Sequence, residues 1–183
     1  MKKRLLLSIL LVAGLLGGAI LYLRSEFGFV FGDTSNFQIL YPRPKLWEAV
    51  PHTPFALFLF EHKGTRSQLR GAQNQIVSDV NPTPEMDTNG IADYYVWTTE
   101  HNQPTWKATR LPDLRTANER FSTIKRVRKD KIVVTAFTVR GNTTAIFSLS
   151  ISEPHLNRYD ELFKEFTSFL GDVRLVPERE QAE

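Results

Sequence analysis

Four histidines, His52, His62, His101 and His155, are the side chains best suited to proton transfer or metal ligation, and no two stand at His-x-His or His-x-x-x-His spacing. Any such site must therefore be assembled by folding, as a carboxylate–imidazole pair of His52 or His62 with Glu48 or Glu61. An anchored hydrolase would use a pair of that kind; ordinary surface histidines are the other reading. The chain has no cysteine, which removes thiolate nucleophiles, disulfides, Fe–S ligands and zinc–thiolate sites. Neither a Gly-x-Ser-x-Gly elbow nor a P-loop nor a Gly-x-Gly-x-x-Gly loop is present. Asp160, Glu161 and Glu165, with Lys164, read as the charged side of a helix, and their spacing does not set two carboxylates across one cleft as a glycosidase requires. No catalytic, cofactor-binding or metal-binding residue is assigned, and the chain reads as a non-enzyme.

Two groups of residues suit binding instead. Lys125, Arg126, Arg128, Lys129 and Lys131 cross one hairpin, partly offset by Asp130, and would meet anionic lipid headgroups or an acidic partner. Cations at a hairpin tip also protect strand edges from aggregation, so both readings stand. Tyr94, Tyr95 and Trp97, with Trp106 beyond, surround the loop 101–104. Tyr95, Trp97 and Trp106 would be contact aromatics, since aromatic residues anchor interfaces; in the other reading Tyr94 and Trp97 are core.

The elements that must position these residues follow from periodicity. Strands are expected at 37–41, stopped by Pro42 and Pro44, at 55–60 and at about 73–80, with Leu46 and Trp47 tucked beneath the first. Asp87 or Thr88 caps a helix running to His101, and 112–120 holds one helical turn. Three strands, 121–127, 132–139 and 144–151, form a meander whose last member puts Ala145, Phe147, Leu149 and Ile151 on a core face and the alternate residues on a mostly wet one. Leu156, Tyr159, Leu162, Phe163, Phe166, Phe169 and Leu170 make the apolar stripe of a final helix, closed by Gly171, and 172–176 adds an extended segment.

The N-terminus is distinct. Residues 5–23 are uncharged throughout, flanked by Lys2, Lys3 and Arg4 on one side and Arg24 on the other. As a helix this stretch spans roughly 28 Å, enough for one membrane crossing, and the basic residues before it keep the N-terminus cytoplasmic. Read alternatively, 5–16 is the apolar region of a cleaved signal with Gly17, Gly18 and Ala19 at the cleavage site. Gly14 with Gly18, and Ala13 with Gly17, have the spacing of a helix-pairing face, which would support a weak homodimer. The expected organisation is a cytoplasmic 1–4, a transmembrane signal anchor at 5–23, a tether at 24–35, an extracytoplasmic α+β domain at 36–176 and a flexible tail at 177–183. In a bacterium this is a single-pass inner-membrane protein with a periplasmic domain.

Composition agrees with one globular core: 42% of residues are hydrophobic and 23% charged, with 13 phenylalanines. The net charge of +3 comes from the anchor flanks; beyond Arg24 the balance turns slightly negative, so it is not a nucleic-acid footprint.

The order strands, helix, three-stranded meander, helix gives an antiparallel sheet packed against helices. It resembles the PsbP-like superfamily across 36–176. The matching pieces are Phe37-x-Ile39-x-Tyr41-Pro42 with Leu46-Trp47, the apolar strand 55–60, the strand-to-loop 77–82, the paired strands after Phe121, and Tyr159-x-x-Leu162-Phe163-x-x-Phe166-x-x-Phe169. Pro42-Arg43-Pro44 before the tryptophan departs from that pattern. The resemblance implies an α/β/α sandwich acting as a non-catalytic binding or assembly module; the N-terminal stretch, a further departure from the family, would place it on a membrane, with a protein partner and no cofactor expected. An exported soluble ligand-binding protein, its signal cleaved, is the alternative.

Overall fold

A computed structural model describes residues 27–30, 37–51, 56–75, 87–140 and 143–177. In chain order they form β1 (Phe27–Val30), β2 (Phe37–Pro42), β3 (Trp47–Ala49), β4 (Phe58–His62), β5 (Gln68–Gln75), α1 (Thr88–Asn102), β6 (Lys107–Arg115), β7 (Arg120–Arg128), β8 (Lys131–Arg140), β9 (Thr143–Ser152), a 3-10 turn (Leu156–Arg158), α2 (Tyr159–Asp172) and β10 (Arg174–Pro177).

Seven strands pair antiparallel in the order β3-β4-β5-β9-β8-β7-β6. Alternation along each strand gives the sheet two faces. Phe58, Phe60, Leu69, Phe121, Val134, Phe147, Leu149 and Ile151 point to one face and are buried against Leu162, Phe166, Phe169 and Leu170 of α2. A second, three-stranded sheet, β1-β2-β10, closes the same side with Ile39, Tyr41 and Leu175. The opposite face carries Ile124, Phe137 and Ile146, and α1 covers it with Ile91, Ala92, Tyr95 and Val96. The face of β9 expected to be wet is therefore partly roofed: Thr144 is 3% exposed and Ile146 half-buried.

Several boundaries differ from the expectations, each for a local reason. Residues 112–115 belong to β6 and form no helical turn; the register against β7 slips between Leu111 and Leu114, an edge-strand bulge that accommodates Pro112. The strand expected at about 73–80 is β5 and begins at Gln68, because its inward positions are Leu69 and Gly71, and a glycine adds nothing to an apolar pattern. Residues 76–80 lie outside the described residues. The fourth strand begins at Phe58, and Leu46 is 53% exposed while only Trp47 tucks in. Gly171 lies inside α2, whose C-cap is Val173. Upstream, 27–30 pairs with β2 from Phe27 opposite Pro42 to Val30 opposite Ile39, so the sheet structure reaches into the stretch read as tether. The segment 5–23, Gly14 and Gly18 included, lies outside the described residues, among which no helix is long and apolar enough to cross a membrane.

Candidate functional site

Among the described residues, His62 is the histidine that folding brings to a carboxylate, and the partner is neither Glu48 nor Glu61. On β4 it is 4% exposed, with Nε2 3.8 Å from Glu165 Oε2 of α2. Glu48 pairs with Lys63 at 3.5 Å and Glu61 with Arg66 at 2.8 Å. Glu165 accepts a 2.8 Å hydrogen bond from Trp47 Nε1, and the indole meets the imidazole edge-on at 5.1 Å. On the other side of the ring, Gly64 N–H donates to Nδ1 at 3.2 Å and Thr65 Oγ1 lies 3.1 Å away. Because Nδ1 accepts, the neutral ring carries its proton on Nε2, which has no hydrogen-bond partner among the described residues. Carboxylate, imidazole and hydroxyl thus stand in a row. A nucleophile must be reachable, however, and Thr65 is 5% exposed, with its hydroxyl donated to Ser67, itself 1% exposed. The row clamps β3, β4 and α2 together. His101 lies far off on α1 and His155 before the 3-10 turn; His52 lies outside the described residues. Among the described residues no three His, Asp or Glu converge as metal ligands.

The basic hairpin is divided by strand alternation. Lys125 points to the α2 side, its Nζ 3.7 Å from the Tyr159 ring centroid. Arg126 and Arg128 point to the α1 side and flank Trp106, at 5.7 and 4.9 Å from the ring centroid. Arg128 is held by Asp130, with Nε 2.6 Å from Oδ1, and that contact keeps the Asp130 carboxyl below its ordinary range. Arg126 has its Nε buried without a hydrogen-bond partner among the described residues, and burial lowers its pKa. Lys129 is exposed at the turn and Lys131 half-buried. The five cations therefore do not form one patch: their sequence adjacency is broken by the pleat.

The aromatic group resolves differently. Tyr95 turns inward onto Phe137, ring centroids 4.7 Å apart, and Trp106 is half-buried beneath the two arginines. Tyr94 and Trp97, in contrast, face solvent at 43% and 53% exposure. Trp97 stacks on Tyr94 at 6.4 Å and on His101 at 4.4 Å, so three rings run along α1. Their spacing of three and four places them on one helical stripe, opposite the stripe of Ile91, Ala92, Tyr95 and Thr99 that meets the sheet. His101, absent from the sequence-derived group, is recoverable from that spacing.

The end of α1 near β6 is fixed by a polar cluster. Asp87 caps the helix by accepting from Gly90 N–H at 2.8 Å. Ser122 Oγ donates to Asn89 Oδ1 at 2.7 Å, and Arg110 reaches Asn89 and Asp113. Arg120 Nε donates to Asp113 Oδ2 at 3.0 Å, the main reason that carboxyl titrates below its ordinary value. The ring stripe is thus carried on a helix held at a set angle. One surface cavity, of about 460 Å³, is lined by Arg115, Arg120, Arg140 and the buried Glu119, which Arg140 pairs at 2.9 Å. Another, of about 400 Å³, lies between the 42–47 segment and Glu165, Phe169 and Asp172 of α2.

No protein-family model matches the chain, and no curated protein matches it. Solved structures do. Cyanobacterial PsbP (CyanoP) from Synechocystis superposes with a TM-score of 0.53 at 15% identity over 82% of this chain and 93% of its own. LpqN of Mycobacterium tuberculosis gives 0.58 at 11% identity over 85% and 95%. The Saccharomyces cerevisiae Ran-binding protein Mog1p gives 0.53 at 9% identity over 82% and 96%. At these identities the likeness is one of architecture, and this chain has the PsbP-like fold.

Proposed function

We propose that the chain is a membrane-anchored, extracytoplasmic module that binds a protein partner through the outer face of α1 and has no chemistry of its own. The observation that carries this reading is the stack of Tyr94, Trp97 and His101 on the solvent side of that helix. Large rings ordered by one another lose little entropy on docking, which makes them efficient anchors. The fold is compatible with such a role, since Mog1p is a Ran-binding protein and LpqN is involved in cell envelope biogenesis. Anchoring rests on the uncharged stretch 5–23 with its basic flanks.

The test compares the parent chain with Tyr94→Ala and Trp97→Ala in its native membrane. Both variants should keep the parent's melting behaviour and resist alkaline carbonate washing, yet lose the complex that co-purifies with the parent. Retention of the same complex by both variants overturns the α1 assignment. A mature chain that begins after Ala19, read by N-terminal sequencing, overturns the anchor in favour of an exported soluble protein.

A further inference from the structure

Resting on the anchored reading, we propose that the 42–46 loop is a second membrane contact, lying among anionic phospholipid headgroups with Leu46 at their apolar boundary and Arg43 and Lys45 beside the phosphates. The first argument is reach. β1 begins at Phe27, so only Arg24, Ser25 and Glu26 separate it from the end of the uncharged stretch at Leu23. Four Cα steps extend about 14 Å at most, against a headgroup layer on the order of 6 Å per side.

The second argument is direction. β1 leads away from its entry point, and β2 returns antiparallel to end at Pro42, opposite Phe27. The loop that follows therefore lies at the end of the small sheet where the chain enters, beside the start of β10, whose Arg174 stands opposite Leu40. Its composition suits that position. Leu46 is 53% exposed, and Arg43 and Lys45 are exposed with no ion-pair partner among the described residues. Nearby acids are largely engaged: Glu48 with Lys63 and Glu165 with Trp47, leaving Asp172 on the far wall of the groove. The loop is also preformed, because Trp47 N–H bonds Pro44 O and Lys63 N–H bonds Leu46 O, both at 3.1 Å. Orientation follows. The loop feeds β3 at one edge of the seven-stranded sheet, while α1 packs on β6, β7 and β8 at the other edge and on the opposite face. Five strand spacings, about 24 Å, separate β3 from β7, so the ring stripe of α1 lies across the sheet from the loop and on its opposite face.

The chain has no cysteine, so single labelling sites are clean. The full-length chain carrying Leu46→Cys, or Glu100→Cys on exposed α1, is labelled with an environment-sensitive fluorophore. It is reconstituted into phosphatidylcholine vesicles with and without phosphatidylglycerol, containing a headgroup-region spin-labelled lipid. The Leu46 probe should be quenched and blue-shifted, more so with phosphatidylglycerol, and the Glu100 probe neither. Arg43→Ser with Lys45→Ser should lower the docked-to-undocked ratio about 25-fold, at about fivefold per basic residue. Equal signals from the two probes in a chain that stays with the vesicles overturn the loop contact and leave the anchor standing. Release of the intact chain from the vesicles by carbonate overturns the anchored reading itself.

Discussion

Gly71 sits on β5 directly opposite Phe58 of β4, on the face that meets α2. A Cβ built there would lie 2.2, 2.6 and 2.8 Å from Cε1, Cζ and Cδ1 of the Phe58 ring, so Gly71→Ala demands over an ångström of movement to reach ordinary contact at 3.4 Å. The ring has nowhere to go. It is 4% exposed and held by Tyr41, Phe60, Phe169 and Phe147 at centroid distances of 4.3, 5.2, 5.8 and 6.3 Å. Overpacking typically costs 1–3 kcal/mol, and a clash against a locked ring belongs near the top, at about 2–3 kcal/mol. For a domain of this size that lowers Tm by roughly 8–10 °C. Urea unfolding followed by tryptophan fluorescence measures it directly. The cause is isolated by a cycle with Phe58→Leu, which removes the ring edge: the double variant should be more stable than the sum of the single losses by about 1 kcal/mol or more. If Gly71→Ala unfolds within about 0.5 kcal/mol of the parent, or the two losses simply add, the ring-over-glycine packing is wrong.

The two faces of α1 should answer oppositely to truncation: Ile91→Ala, buried at 6% exposure, should cost about 2–4 kcal/mol and Trp97→Ala no more than about 0.5, as read by denaturant midpoint; comparable losses would invert the helix. Trp47→Phe removes the indole donor to Glu165 and should cost roughly 1–2 kcal/mol, discounted because Glu165 is a quarter exposed, whereas Glu165→Gln keeps an acceptor and should lose less in the same melt. The Asp113 carboxyl is held below its ordinary 3.8 chiefly by the Arg120 hydrogen bond, so it stabilises the fold above that pH and loses its contribution as pH falls through the lower folded value. Asp113→Asn should therefore be less stable than the parent at neutral pH, the gap narrowing below pH 3.8; a gap constant down to acid would show that Asp113 acts without its charge.

The meander at 120–152 and the stripe of α2 are legible in one dimension because each repeats with its own period, two for the strands and three to four for the helix, and a buried face must keep that period. An antiparallel sheet packed against helices follows from that order of elements. Where the period breaks, reading fails: β5 hides behind Gly71, and β6 behind Pro112 at a bulge, since neither residue advertises the strand it belongs to. Binding residues divide along the same line. The run from Lys125 to Lys131 looks like one cluster because neighbours in sequence are counted together, but a pleated strand sends alternate side chains to opposite faces, so Lys125 lands on Tyr159 and the arginines on Trp106. The Tyr94, Trp97 and His101 stack was present in the spacing, yet its direction was not, because α1 has aromatic residues on both sides and only the sheet selects which side is buried. The clamp of Trp47, His62 and Glu165 joins residues 118 positions apart at its ends, a distance that only chain folding spans. Local periodicity is a property of a segment; which face turns inward and which distant side chains meet are properties of the packed whole.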